Sequence, residues 1–295
     1  MAIPINSDGE RGGVYGLLGY DVGYSMSPAI FRTVFDALAW RATFAVFDLG
    51  PRQIRSLLRS ARATQILGLS VTIPYKTRVI PYLDSLSDEA TAVGAVNAIA
   101  TTGGKLVGHN TDVQGIVAAL ALHRKRLRGR SALIFGAGGA ARAVAYALVN
   151  DLDMSQITVA ARSTARARRM IHHLQDHLSA PRATSAAFAP TVDLKSAISE
   201  AALIVNATPL GGMELADRSP LPPRLRLSRQ TIVFDLVYRP RMTKFVKQAR
   251  QSGCRFIVGG WPMLVAQAEA SFHVWTGRGF PKSVRTSLAR LDRTL

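Results

Sequence analysis

Residues 136–141 read Gly-Ala-Gly-Gly-Ala-Ala, and this short run constrains the fold more than any other part of the 295-residue chain. It follows an apolar run at 131–135 with the length of a buried strand and precedes a pattern that reads as helix from about Gly139. The spacing is G-x-G-x-x-A. In a strand–turn–helix unit Gly136 permits the tight turn, Gly138 lets backbone approach a pyrophosphate, and Ala141 lets the helix pack close to the sheet. Ala137, Gly139 and Ala140 complete the turn, whose helix N-terminus offers N–H groups and a positive dipole end to phosphates. Glycines also serve plain turns, but strand, turn and helix in this order point to dinucleotide binding.

The pattern around this turn is repetitive. A helix at 113–122 precedes it. After it come a strand at 157–160, a helix at 164–178, strands at 202–206 and 231–236, a helix at 242–252 and a strand at 255–258. Such alternation predicts a doubly wound, Rossmann-like α/β domain over 113–259. The 180–190 stretch, rich in Ala and Pro, reads as a loop-like insertion.

The first third also alternates, with strands at 14–19, 44–49 and 66–73 and a helix at 51–62. A second helix opens at Ser27-Pro28, with Ser27 as N-cap and Pro28 at the first helical position. Gly103-Gly104 between two apolar runs is a hairpin signal. This predicts a mostly parallel, helix-covered sheet in a separate α/β domain over 1–112. Residues 260–295 hold two helices and no strand, so they must pack elsewhere. We expect them to return to the first domain.

The strand after the Gly-rich turn bears on the choice of dinucleotide. NAD-binding versions place an acid about twenty residues on, bonded to the ribose 2′-hydroxyl. Here that strand ends in Ala161-Arg162-Ser163, with Arg166 a turn later and no acid in reach. A guanidinium can pair with a 2′-phosphate and a serine can donate to it, so the loop favours NADP.

Composition limits the remaining classes. With 48% hydrophobic and 19% charged residues there is ample core material and no disorder signature. No apolar run suits a membrane span, and residues 1–13 lack a signal-peptide core. The single cysteine, Cys254, fits a reducing, cytoplasmic compartment. The charge is extreme: 37 Lys+Arg against 19 Asp+Glu, a formal +18. That excess would suit a nucleic-acid partner, but the arginines are scattered, and their tightest cluster, 123–130, reads as a surface connection. The six histidines show no metal-ligand spacing.

Polar residues outside the nucleotide domain fall in short segments where a packed core would not need them. These are Tyr24-Ser25-Met26-Ser27-Pro28, Ser70-Val71-Thr72-Ile73-Pro74-Tyr75-Lys76, Gly94-Ala95-Val96-Asn97, Asn110-Thr111-Asp112, and Met263-Leu264-Val265-Ala266-Gln267 after Gly260. Singly, each has a plain explanation as a cap, a turn or a solvated side chain. As an ordered set, with Gly-Ala-Gly-Gly-Ala and Asp235-Leu236-Val237-Tyr238, they resemble the shikimate dehydrogenase family nearly end to end.

The resemblance implies reversible NADPH-dependent reduction of 3-dehydroshikimate to shikimate, a step of aromatic amino-acid biosynthesis. It implies Lys76 and Asp112 as the catalytic pair, with Lys76 as acid/base. Ser25 and Ser27 match carboxylate-binding hydroxyls. Thr72, Asn97, Asp112 and Gln267 match ring-hydroxyl partners, with Ser70 and Tyr238 beside them. Asn206, Thr208, Leu236, Gly260 and Met263 match the cofactor side, joining the Gly-rich turn and the Ala161, Arg162, Ser163 and Arg166 loop. Met263 and Gln267, at i and i+4, share a helix face.

Three positions depart from the family. Ser70 stands where many relatives have Asn, His109 where they have an acid, and Ala161 where an Asn is common. His109 would add a charge that varies near neutral pH. A quinate or quinate/shikimate dehydrogenase is the alternative within the class. A basic nucleic-acid binder or a nucleotide sensor on a Rossmann scaffold is the alternative outside it. Either a monomer or a homodimer is compatible with the sequence.

Overall fold

A computed structural model describes residues 13–64, 66–178, 182–187 and 192–292. Within them the chain forms two compact units, one from 13–111 with 267–292 and the other from 112–266. Residues 1–12 of the N-terminal segment lie outside the described residues.

The first unit is built on strands β1 (Gly13–Gly19), β2 (Ala42–Asp48), β3 (Ile66–Val71), β4 (Ser85–Leu86), β5 (Ala98–Thr102) and β6 (Lys105–His109), in spatial order β2-β1-β3-β5-β6-β4. Strand β1 pairs in parallel with β2 and β3, whereas β5 is antiparallel to both β3 and β6. The sheet is therefore mixed, because the β5–β6 connection is a hairpin rather than a crossover. Gly103 and Gly104 make that turn with φ of 58° and 75°, the left-handed pair a two-residue hairpin asks for.

Helices α1 (Ser27–Ala37), α2 (Ile54–Ala63) and α3 (Asp88–Val93) belong to this unit. The sequence pattern missed α3, which is six residues long, too short for a periodic signal. The expected cap of α1 is corrected as well. Met26 occupies the N-cap, no side chain caps the helix, and Ser27 lies within its first turn and is buried.

The C-terminal helices are α10 (Gly260–Thr276) and α11 (Lys282–Asp292). Trp275 fixes the second half of α10 against the first unit's sheet. A Cβ on Gly68 of β3 would stand 2.6 Å from the Trp275 ring, so only glycine allows this approach. The indole Nε1 donates to the Ile99 carbonyl at 3.0 Å. Tyr15, Phe31, Phe35 and Phe44 join Trp275 in one ring cluster, whose burial stabilises by about 1.5–3 kcal/mol per side chain.

The second unit carries β7 (Ser131–Phe135), β8 (Gln156–Ala161), β9 (Arg182–Ala187), β10 (Leu203–Asn206), β11 (Ile232–Asp235) and β12 (Phe256–Val258). They form an all-parallel sheet in the order β12-β11-β10-β7-β8-β9. Strands β7, β10 and β11 are apolar runs buried almost throughout, as a sheet covered on both faces requires. The helices are α4 (Asp112–Leu120), α5 (Arg124–Leu127), α6 (Gly139–Asn150), α7 (Thr164–His177), α8 (Val192–Glu200) and α9 (Lys244–Gln251).

One expectation is corrected here. Residues 182–187 of the expected 180–190 loop pair with β8 as β9. Small residues with little alternation gave no strand signal, and the rest of that stretch lies outside the described residues. The basic 123–130 connection is mostly exposed, as expected of a surface connection, and it contains the single turn α5, held by buried Leu127.

Candidate active site

The strand order of the second unit reverses between β7 and β10, the topological switch point at which open α/β sheets bind ligands. The Gly-rich turn follows β7 there. Gly136 has φ of +117°, and a Cβ on it would meet the Ala207 carbonyl oxygen at 2.9 Å, so conformation and packing both demand glycine. Gly138 is different. It is the N-cap of α6 with φ of −93°, and an added Cβ would find nothing within 4 Å. Among the described residues nothing requires glycine at that point, so the space it keeps open suits something from outside. No side chain caps α6, which leaves its first-turn N–H groups without a side-chain acceptor. Ala141 is fully buried against the sheet. Ala137, Gly139 and Ala140 are half-buried around the turn. These features fit a dinucleotide pyrophosphate.

At the end of the neighbouring strand Ala161 is buried and Arg162 exposed. Ser163 caps α7, its Oγ accepting from Arg166 N at 3.3 Å. Neither Arg162 nor Arg166 forms an ion pair among the described residues, so both guanidiniums can take an anion.

On the other side of the switch point Asn206 Oδ1 accepts from Thr208 N at 3.1 Å and from Thr208 Oγ1 at 2.6 Å. Asn206 Nδ2 donates to the Leu210 carbonyl and to Asp235 Oδ1, each at 2.9 Å. Leu236 N donates to Asn206 O at 3.0 Å. The Leu236 carbonyl lies only 2.3 Å from where a Gly260 Cβ would stand, so glycine at the head of α10 is a packing requirement. Tyr238 is half-buried, and Met263 on α10 is buried.

The first unit's expected site residues fall into two groups. Asn97 and Gln267 are both buried and joined, Asn97 Nδ2 donating to Gln267 Oε1 at 3.2 Å. Between them lies Thr111. Its N donates to Asn97 Oδ1 at 2.6 Å, and its Oγ1 accepts from Asn97 Nδ2 at 2.9 Å. The same hydroxyl is 3.1 Å from the Gln267 carbonyl and 2.8 Å from Ser271 Oγ. Thr111 and Ser271 were not foreseen as site residues. The available signal was spacing: Met263, Gln267 and Ser271 recur every four residues on one face of α10.

Lys76, half-buried, is tied to this group through the backbone, because Val96 N donates to its carbonyl at 2.7 Å. Thr72, also half-buried, starts the same turn, with Tyr75 N donating to Thr72 O at 2.8 Å. Ser70 is buried in β3, opposite Leu17 of β1. Asp112, 2% exposed and next in the chain to Thr111, opens α4, where the helix dipole favours a carboxylate.

The second group is the serine pair. Ser25 Oγ donates to Ser27 Oγ at 3.3 Å and accepts from Ser27 N at 3.2 Å. Two hydroxyls are thereby presented together. His109 is half-buried, and burial lowers its pKa below the ordinary value. Burial thus favours the uncharged ring as pH approaches neutrality.

The shikimate dehydrogenase substrate binding domain matches residues 17–99, and the saccharopine dehydrogenase NADP binding domain matches residues 132–214. A shikimate dehydrogenase (NADP(+)) from Chlorobium chlorochromatii is 39% identical over 285 residues, covering 95% of this chain and 97% of the relative. The chain belongs to the shikimate dehydrogenase family. Among solved structures of related chains, that of the Thermus thermophilus shikimate 5-dehydrogenase with NADP(H) and shikimate is 33% identical. Its TM-score is 0.79, over 95% of this chain and 99% of that one. A quinate dehydrogenase from Corynebacterium glutamicum in complex with NAD also shares the fold, at 29% identity and a TM-score of 0.81 over 96% and 98% of the two chains. Among the described residues no helix is long and apolar enough to cross a membrane, and no group of His, Cys, Asp and Glu could hold a metal ion.

Proposed function

We propose that the chain is an NADP-dependent shikimate dehydrogenase that reversibly reduces 3-dehydroshikimate to shikimate in aromatic amino-acid biosynthesis. The observation that carries this reading is the near end-to-end identity with an enzyme of that name, 39% over 95% of the chain. The first unit, 13–111 with 267–292, is the substrate domain, and the second, 112–266, holds the nucleotide.

When bound, NADPH supplies the hydride that reaches the ketone carbon. As it arrives, charge grows on the ketone oxygen, and a positioned proton donor lowers that barrier. Lys76 donates the proton from Nζ, and in the reverse direction takes the hydroxyl proton. Asp112 orients the ammonium, so the two act as a unit. Ser25 and Ser27 hold the substrate carboxylate. Thr72, Asn97, Asp112 and Gln267 engage the ring hydroxyls, with Ser70 and Tyr238 at the margin. The buried network through Thr111 supports this assignment of Asn97 and Gln267, because it fixes both amides before substrate arrives.

On the cofactor side the Gly136–Ala140 turn would hold the pyrophosphate, and Arg162, Ser163 and Arg166 would take the 2′-phosphate. Asn206, Thr208, Leu236, Gly260 and Met263 form the wall for the rest of the nucleotide. We assign the enzyme to the cytoplasm, as a monomer or homodimer, with its excess positive charge spread over the surface rather than gathered on a nucleic acid.

Initial rates at the nicotinamide absorbance band, crossing shikimate and quinate with NADP⁺ and NAD⁺, test the reading. Activity concentrated on shikimate with NADP⁺ is expected. Preference for quinate or NAD⁺ would move the chain towards the quinate dehydrogenases that share its fold. No turnover with any pair would overturn the assignment.

A further inference from the structure

Asp235 belongs to no role assigned above, yet it is fully buried at the carboxyl end of β11. Its Oδ1 accepts from Asn206 Nδ2 at 2.9 Å and from Val237 N at 3.1 Å, and its Oδ2 accepts from Thr243 Oγ1 at 2.6 Å. Each donor belongs to a different segment. Asn206 organises residues 206–210 after β10 by bonding Thr208 and Leu210. Val237 lies between Leu236 and Tyr238 after β11. Thr243 caps α9, its Oγ1 accepting from Val246 N at 3.1 Å.

No cation pairs with this carboxylate among the described residues, and burial pushes its pKa up to about 6. At neutral pH it is ionised against the penalty of burial, so the folded protein would be more stable with the group protonated. An asparagine could fill the same space without that cost. The ionised form offers something else, namely three acceptor sites with the added strength of charge-assisted hydrogen bonds.

We propose that Asp235 is a positioning residue whose carboxylate ties residues 206–210, Val237 and Thr243 into one stiff wall for the nucleotide. The inference rests on the cofactor reading above and adds to it a residue that touches no ligand. Asparagine at this position keeps an acceptor for Asn206 and Val237, but its amide must donate to Thr243 Oγ1. The Thr243 hydroxyl hydrogen, in a side chain 1% exposed, then loses its acceptor. The wall should loosen while the fold survives.

The test uses the unliganded full chain with Asp235→Asn and Asp235→Ala. Equilibrium NADP⁺ titration, thermal unfolding at pH 7.5 and amide hydrogen exchange are read together. For Asp235→Asn we expect roughly 5-fold weaker NADP⁺ binding, the difference between charge-assisted and neutral hydrogen bonds. Its Tm should equal or exceed wild type, and exchange should be faster at Thr208, Leu210 and Val237. Asp235→Ala should weaken NADP⁺ further, by tenfold or about that, with the KM for shikimate unchanged in both variants. Wild-type affinity and exchange in Asp235→Asn would overturn the proposal. So would a fall in its Tm matching the loss of affinity, because a merely structural role predicts that coupling. A wild-type protein that failed to bind NADP⁺ would instead overturn the cofactor reading itself.

Discussion

Each unit of the molecule contains a buried hydrogen-bonded cluster that joins segments far apart in the chain, and the two clusters are built from different chemistry. In the first unit Asn97, Thr111, Gln267 and Ser271 are all neutral. In the second the centre is the carboxylate of Asp235, held by Asn206, Val237 N and Thr243. Neutral amides and hydroxyls lose little on burial once every partner is supplied, and their geometry does not change with pH. A buried carboxylate makes stronger bonds but charges the fold for its desolvation. On the proposed reading, the neutral cluster would meet a polyol hydroxyl by hydroxyl, a task that needs fixed donors and acceptors. The charged cluster stands behind backbone loops, a task that needs stiffness.

The largest effect should appear on the first unit alone. Replacing Lys76 by methionine keeps the length of the side chain but removes the proton donor. We expect kcat to fall by about 10²–10⁴, the usual range for a general acid. NADP⁺ affinity, measured by titration, should stay within about twofold of wild type, because the nucleotide residues belong to the second unit. Turnover near the wild-type value would remove Lys76 from the chemistry. A large loss of NADP⁺ affinity would break the proposed division between the units.

Next in size is the neutral cluster itself. Thr111→Val preserves shape but deletes the hydroxyl on which Asn97 Nδ2 and Ser271 Oγ converge. Leaving such partners unpaired in a buried site costs about 2 kcal/mol. The loss, read by denaturant unfolding, should be the same at pH 5.5 and pH 8, since no member of the cluster titrates. A pH-dependent loss would show that a charged group shares the network and would blur the contrast with Asp235.

Legibility differed between these regions for physical reasons. The parallel sheet of the second unit was readable because strands such as 131–135 are continuous apolar runs and because Gly-rich turns punctuate them. Strand β9 was not, since Arg-Ala-Thr-Ser-Ala-Ala carries neither alternation nor bulk. Helices of one or two turns, such as α3 and α5, are too short to display a period. Among site residues, the motif gave Gly136 the tight turn and Gly138 the approach to a phosphate, but it did not show the surroundings of either. Only the space around each separates a glycine demanded by the Ala207 carbonyl from one that keeps room open. Thr111 and Asp235 were visible as polar residues within recognisable segments, but a hub is defined by its partners. Those of Thr111 lie 14, 156 and 160 residues away.

A smaller effect is expected at the exposed edge of the second unit, where charge acts on a ligand rather than on the chain. Arg162→Ala removes a guanidinium that has no ion pair among the described residues, so folding should not suffer. NADP⁺ should bind roughly five- to tenfold more weakly, the loss of one charge-assisted bond partly screened by solvent, while NAD⁺ affinity stays put. Equal weakening of both cofactors would place Arg162 away from the 2′-phosphate.

The finest test of the contrast is the pH dependence of stability. Burial lowers the pKa of His109 below its ordinary 6.5, so the unfolded chain takes up that proton first as pH falls, and stability declines on acidification. Asp235 acts in the opposite sense. Its folded pKa of about 6 lies above the ordinary 3.8, so between those values the native state holds the proton more tightly. Its contribution to stability is full below about 4 and is lost as pH rises through about 6. Between pH 7 and pH 5 that amounts to a gain of about 1 kcal/mol on acidification, which partly offsets the histidine. Asp235→Asn deletes the gain. Denaturant unfolding at both pH values should therefore show the variant losing more stability on acidification than wild type, by about 1 kcal/mol. The Thr111→Val profile should run parallel to wild type. Parallel profiles for both variants would mean that Asp235 does not titrate near 6, and the two clusters would then differ in composition without differing in their response to pH.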